Sequence, residues 1–223
     1  MASVLVVAAH PDDEVLGCGG TIARHVALGD SVHVVITGEG IMARPGADPA
    51  ELGEHREAAF RANDILGVET LTLHDYPDNR LDSVDRLDVT QFVESHVRKH
   101  APAIVYTHHW ADLNHDHTQL SECVVTACRP VPKQMIRRIL CFEVPSSTGW
   151  RGPRRDAFEP NWFIDISKTL TTKLAALAEY GHELRDFPHP RSAEAVTHLA
   201  RWRGATAGVE AAEAFVLARN LDV

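Results

Sequence analysis

The sequence predicts an α/β fold: a Rossmann-like, doubly wound, mostly parallel sheet of the 3-2-1-4-5 type, flanked by helices and followed by a C-terminal helical extension. Three observations carry this reading. The first half of the chain alternates strand and helix patterns, as a parallel sheet with crossover helices requires. Residues 4–9 (Val-Leu-Val-Val-Ala-Ala) are an unbroken apolar run, expected of a strand buried on both faces. A length of 223 residues suffices for one sizeable core. Residues 1–150 are read as that core and 151–223 as an extension packed on it, within a single domain.

The elements follow in order. After the strand at 4–9, residues 15–28 have a helical pattern that Gly29-Asp30 stops. Residues 32–37 are a second strand, closed by the turn Gly38-Glu39-Gly40. Residues 41–50 contain Pro45, Gly46 and Pro49 and form a loop beside the strand ends. A helix over 51–66 ends at Gly67, a third strand covers 70–73, and 75–82 is another loop. A helix over 84–100 stops before Pro102, and 103–107 is a fourth strand. In the extension, 162–166 is a strand. Residues 167–183 form a helix with Ser167 as N-cap, in which Leu170, Leu174, Leu177 and Tyr180 recur at three- and four-residue spacing. A loop over 186–192 leads into a helix over 193–206.

Composition narrows the function. Twenty-two Lys and Arg against 31 Asp and Glu leave a net charge of −9. A nucleic-acid binder needs a basic stripe for the phosphates, and an anionic membrane surface makes the same demand. No apolar run approaches the ~18 residues of a membrane span. The chain enters strand pattern at once, with no secretory leader pattern, so a cytoplasmic protein is expected. Cys18, Cys123, Cys128 and Cys141 form no Cys-x-x-Cys pair and lie in apolar segments, as buried, reduced thiols do.

The chemistry concentrates in Ala9-His10-Pro11-Asp12-Asp13-Glu14, directly after the first strand. One imidazole and three carboxylates at the mouth of a core strand repel one another unless something positive offsets them. A divalent metal is the simplest candidate, because carboxylate and neutral imidazole are its usual ligands. A helix N-cap explains one such residue but neither the histidine nor the other acids. The fourth strand runs into His108-His109-Trp110-Ala111-Asp112-Leu113-Asn114-His115-Asp116-His117. In a 3-2-1-4-5 sheet strands 1 and 4 are neighbours at the switch point, where ligands bind beyond the carboxyl ends. The two segments are therefore expected to meet in one crevice. Gly17-Cys18-Gly19-Gly20 is not a dinucleotide fingerprint, since Ile22 takes the place of the third glycine and the carboxylates repel a pyrophosphate. These glycines instead allow the first helix to pack closely on the sheet.

The opening motif resembles that of the LmbE-like (PIG-L) zinc-dependent N-deacetylases. The likeness continues through Arg56-Glu57, Tyr76-Pro77-Asp78-Asn79-Arg80-Leu81, Asp112-Leu113-Asn114-x-Asp116-His117 and Glu143-x-Pro145-Ser146-Ser147-Thr148-Gly149-Trp150. It ends with Pro188-His189-Pro190-Arg191-Ser192 and Ala212-Glu213-Ala214-Phe215. The resemblance implies removal of an acyl group, usually acetyl, from an amino-sugar substrate. It gives His10, Asp13 and His117 as ligands of one Zn²⁺, with Fe²⁺ or Co²⁺ compatible with the same set, and Asp12 as general base. Many relatives carry His-x-Asp-His, whose first histidine polarises the substrate carbonyl. Here Asn114 stands in that place. Either Asn114 supports the oxyanion by hydrogen bonding, the favoured reading, or one of His108, His109 and His115 supplies an acid.

Asp116 and Glu14 are placed around the ligands as hydrogen-bonding supports, Glu14 alternatively as a helix-end group. Arg44, Asp78, His109 and Trp110 are candidates for substrate contact. Trp110 and Trp150 form a stacking wall for a sugar ring or belong to the core. Arg191 and Glu213 are read as an ion pair or as hydrogen bonding around the site, and His25, His55, His96 and His100 as surface residues. The expected partner is a small amino-sugar or glycoconjugate; related proteins are often homo-oligomers. An amidase on a non-sugar N-acyl compound and a non-catalytic sugar- or nucleotide-binding module are the alternatives. A metallophosphoesterase would want two metals.

Overall fold

The computed structural model describes residues 1–44, 46–152 and 156–222; Pro45 of the 41–50 loop lies outside them. The apolar runs become strands β1 (Ser3–Ala8), β2 (Ser31–Gly38), β3 (Thr70–Tyr76), β4 (Ile104–His108) and β5 (Arg138–Phe142). The patterned segments between them become α1 (Asp13–Ala27), α2 (Glu51–Leu66), α3 (Arg86–His100) and α4 (His115–Ala127). One 3-10 turn, Leu81–Ser83, precedes α3. The remainder forms β6 (Trp162–Asp165), α5 (Leu170–Glu179), α6 (Ala193–Ala207) and β7 (Ala212–Asn220).

The sheet order is β3-β2-β1-β4-β5-β7-β6. The first five strands pair in parallel, with β1 between β2 and β4, so the 3-2-1-4-5 order holds. The extension holds the strand expected at 162–166, now β6, and a second, unexpected strand, β7. β7 runs antiparallel between β5 and β6, and both add to the sheet. Ala-Glu-Ala-Phe-Val-Leu-Ala-Arg-Asn lacks β-branched alternation, and its pairing between two strands overrides that local preference. One apolar layer joins α1, α2 and α5 to one face of the sheet, and a second joins α3 and α4 to the other.

Helix α1 lies close against the sheet, as its glycines imply. A Cβ on Gly17 would stand 2.3 Å from Phe142, and one on Gly20 2.8 Å from Ile166. The helix breaks at Cys18 (φ −149°). The break frees the N–H groups of Gly20 and Thr21, which donate to the Glu213 carboxylate at 3.0 and 2.7 Å. Buried Lys173 completes this knot, donating to Glu213 (2.6 Å) and to the Leu16 carbonyl (2.8 Å). Glu213 thus serves the helix break and does not pair with Arg191.

Helix α5 is shorter than its pattern and begins after Thr169, not Ser167. Ser167 is spent in a turn, its N–H and hydroxyl both donating to Asp165 Oδ1. Three histidines read as surface residues are buried. His25 bridges Asp30 (2.8 Å) and the Tyr106 hydroxyl (2.9 Å). His55 packs edge-on against Tyr180, and His96 packs on His100, which in turn stacks on His33. Burial lowers the pKa of each, so they sit neutral inside. All four cysteines are buried and unpaired. Among the described residues, no helix is long and apolar enough to cross a membrane.

Candidate metal centre and active site

The site forms where β1 and β4 lie side by side. Beyond β1 the chain turns sharply through Pro11 and Asp12 into α1, and beyond β4 it turns through residues 109–114 into α4. Asn114 fixes the second turn: its Oδ1 accepts the Asp116 N–H (2.9 Å) and caps α4, which places His117 in the first helical turn. Asp12 fixes the first turn at φ 104°, a conformation that costs a non-glycine residue on the order of 1–3 kcal/mol. It is held there by Glu14, which accepts its N–H (3.1 Å), and by the N–H groups of Val15 and Leu16 on its carbonyl.

His10, Asp13 and His117 converge as expected. Asp13 Oδ2 lies 3.3 Å from His10 Nδ1 and 3.1 Å from His117 Nε2. Each imidazole turns its other nitrogen to a carboxylate: His10 Nε2 to Asp116 Oδ2 (3.0 Å) and His117 Nδ1 to Asp112 Oδ1 (3.3 Å). Metal-ligating histidines are oriented in this way. His108 supports the group from behind, accepting the Ala9 N–H (2.8 Å) at Nε2 and stacking on His117 at 3.9 Å.

Two buried triads have ligand atoms close enough for one cation, His10/Asp13/His117 and His10/Asp78/Asp116. Hydrogen bonding distinguishes them. Asp13 Oδ1 and both ring nitrogens of His117 are buried with no hydrogen-bond partner among the described residues, Nδ1 facing Asp112 and Nε2 facing Asp13. The oxygens of Asp78 are taken by the Ala43 N–H and Asn79 Nδ2 (both 2.9 Å), and Asp116 Oδ1 by the Leu81 N–H (2.9 Å). The donors left wanting a partner belong to the first triad, and they fit a divalent metal. The electrostatics agree. Burial lowers His10, but hydrogen bonds to Asp116 and Asp13 and the charges of Asp13 and Asp78 outweigh it and hold it at about 10. Burial likewise lowers His117, and Asp13 and Asp112 raise it to about 9.

Beside the triad an open cavity of about 110 Å³ is lined by His10, Asp12, Arg44, Asp78, Asn79, Asn114, Glu183 and Arg191, among others. Arg191 Nη1 donates to Asp12 Oδ2 at 2.9 Å, and Arg191 Nε to Ser146 Oγ at 2.9 Å. Burial raises Asp12 well above the usual carboxylate range. Arg191 opposes this, while Asp13, Glu183 and Glu14 add to it. Arg44 hydrogen-bonds Glu183, which lies 3.6 Å from Arg191.

The remaining candidates divide. Arg44, Asp78 and Asn114 reach the cavity, but Asn114 Nδ2 donates to Asn79 Oδ1 (2.9 Å). His109 packs against Trp110 with tilted rings and meets Phe158 edge-on; neither His109 nor Trp110 is among the cavity's lining residues. Trp150 meets His189 edge-on rather than forming a wall with Trp110. His115 is exposed and hydrogen-bonds Gln119. Glu14 sits beneath the site, accepting from Tyr180 (2.6 Å) and Asn63 (3.0 Å) as well as Asp12, and burial pushes it up to about 7. Sequence reasoning missed Asp112, His108 as a supporting group, and Glu183. Asp112 had a signal, its place in the Asp112-Leu113-Asn114 turn; Glu183 had none.

A family model described as PIG-L: GlcNAc-PI de-N-acetylase matches residues 5–128, more than half of the chain. The uncharacterized deacetylase YaiS of Escherichia coli K12 is 30% identical over 183 residues, covering 79% of this chain and 89% of that protein. The diacetylchitobiose deacetylase of Thermococcus kodakarensis is 26% identical over 185 residues, covering 78% and 67%. The solved structure of GalB, the 4-carboxy-2-hydroxymuconate hydratase of Pseudomonas putida KT2440, superposes with a TM-score of 0.79 at 24% identity. It covers 100% of this chain and 98% of that one, and shows the shared fold. The family match, with the YaiS identity over most of both chains, establishes that this chain belongs to the PIG-L (LmbE-like, GlcNAc-PI de-N-acetylase) family.

Proposed function

We propose that the protein is a zinc-dependent N-deacetylase acting on an amino-sugar-containing small molecule or glycoconjugate. The observation that carries the reading is the buried His10/Asp13/His117 set, in which Asp13 and His117 hold donor atoms without hydrogen-bond partners among the described residues, opening beside Asp12 onto a polar cavity. Family membership and the relative named as a diacetylchitobiose deacetylase support it. A bound divalent ion polarises water and the acyl carbonyl. Fe²⁺ and Co²⁺ suit the same ligands. The protein supplies the rest. Asp116 and Asp112 orient the two imidazoles. Asp12, held at the rim by its backbone and by Arg191, takes the proton from the attacking water and returns it to the departing amine. Arg44 and Asp78 face the cavity and are the groups offered to sugar hydroxyls.

The test is acetate release by metal-loaded protein from a panel of N-acetylglucosamine glycosides, N,N′-diacetylchitobiose and non-sugar N-acetyl amines. Equal amounts of acetate and primary amine from a sugar are expected. Acetate from non-sugar amides alone establishes the amidase alternative. No acetate from any compound overturns the proposal. A conjugated dienoic acid belongs in the panel because GalB, of the same fold, is a hydratase.

A further inference from the structure

Attack on an amide places negative charge on the carbonyl oxygen, and a hydrogen-bond donor aimed there is worth about 10²–10³ in rate. The family's histidine for this task is replaced by Asn114, whose side chain is engaged at both ends. Its Oδ1 caps α4 and its Nδ2 is turned to Asn79. No nearby histidine takes over. His115 is exposed and paired with Gln119, and His108 is an acceptor from Ala9. His109 accepts the Ala111 N–H at Nδ1 and stands outside the cavity's lining residues.

Resting on the deacetylase reading, we propose that Arg191 is the donor: its guanidinium binds the carbonyl oxygen of the substrate in place of the missing histidine. The permanent cations among the described residues lining the cavity are Arg44 and Arg191. Arg44 is committed to Glu183 and is the more exposed. Arg191 touches Asp12 itself. Of the five N–H donors of a guanidinium, two are used among the described residues, one on Asp12 and one on Ser146. Nη2 makes no hydrogen bond among the described residues and is the donor offered, while Nη1 also lies 3.6 Å from Glu183 Oε2. The arginine is also held in place. Ser146 presents its hydroxyl from a backbone at φ 81°, and the Arg191 N–H donates to His189 Nδ1 (3.1 Å).

In this step water oxygen bonds to the carbonyl carbon, its proton passes to Asp12, and the C=O π pair moves onto the oxygen that Arg191 binds. Collapse re-forms C=O and breaks the C–N bond. The electron pair leaves on nitrogen, which takes the proton from Asp12.

The experiment compares Arg191→Met, Arg191→Lys and Asn114→Ser with wild type, each as zinc-loaded full chain, on N,N′-diacetylchitobiose; serine keeps an oxygen to cap α4 and removes only the amide donor. Acetate is the second probe, its binding measured by calorimetry without turnover. Arg191→Met is expected to lower kcat by about 10²–10³-fold, with KM within a few-fold and metal content unchanged. Acetate affinity falls at least tenfold in the same variant, because a carboxylate oxygen occupies the carbonyl position. Arg191→Lys recovers part of kcat, and Asn114→Ser loses less kcat than Arg191→Met with metal content unchanged. If Arg191→Met does not fold, Arg191→Lys carries the test through its acetate affinity and its kcat relative to Asn114→Ser. Arg191 variants with near-wild-type kcat and acetate affinity overturn the inference, as does a hundredfold loss in metal-replete Asn114→Ser or metal loss in Arg191→Met. Wild-type protein that releases no acetate from any N-acetyl compound refutes the deacetylase reading itself.

Discussion

Asp12→Asn is expected to lower turnover by about 10²–10⁴-fold while metal stays bound. The substitution removes the basic oxygen and little else. Asparagine has the same size and tolerates positive φ, so the strained turn at φ 104° survives. Its amide oxygen still accepts from Arg191, and the contacts of Asp13 with His10 and His117 are untouched. The neutral amide cannot take a proton from water at the cavity rim. Steady-state kinetics and elemental mass spectrometry on one preparation check both halves. Activity within tenfold of wild type removes Asp12 from the role of base.

Asp13→Ala is expected to empty the site, from about one metal per chain to a small fraction of that, and to bring acetate release to background. Asp13 is the group that every other ligand faces. One of its oxygens lies within 3.6 Å of ring nitrogens of His10, His108 and His117. Burial pushes this carboxyl up, but the charges of His117 and His108, with His10 close by, hold it well below the usual range. Without it, His117 loses the charge that most raises it, and the cation loses its anionic ligand. Full metal content in this variant contradicts the assignment, and His117→Ala on the same preparation scale checks the third ligand.

Much of this site was legible because its signals are local and costly. An unbroken apolar run over 4–9, followed at once by His10, Asp12, Asp13 and Glu14, leaves few physical explanations. The position of β4 beside β1 then brings His117 into the same crevice through topology alone. What escaped is non-local. Arg191 and Asp12 are 179 residues apart, and Glu183 meets Arg44 across 139; no periodicity reports such pairs. Asn114 reads as a catalytic amide by position, yet its nearest demand is the free N–H at the start of α4. β7 was hidden by alanine and glutamate, which become strand only between β5 and β6. The buried histidines were misplaced because their partners, Tyr106 and Asp30 for His25 and Tyr180 for His55, lie on other elements or beyond the helix end.

Anomalous diffraction from crystals of zinc-loaded protein tests the central claim most directly. The account predicts one strong peak per chain among His10, Asp13 and His117, absent in Asp13→Ala. A peak among His10, Asp78 and Asp116 instead, or none after loading, contradicts it.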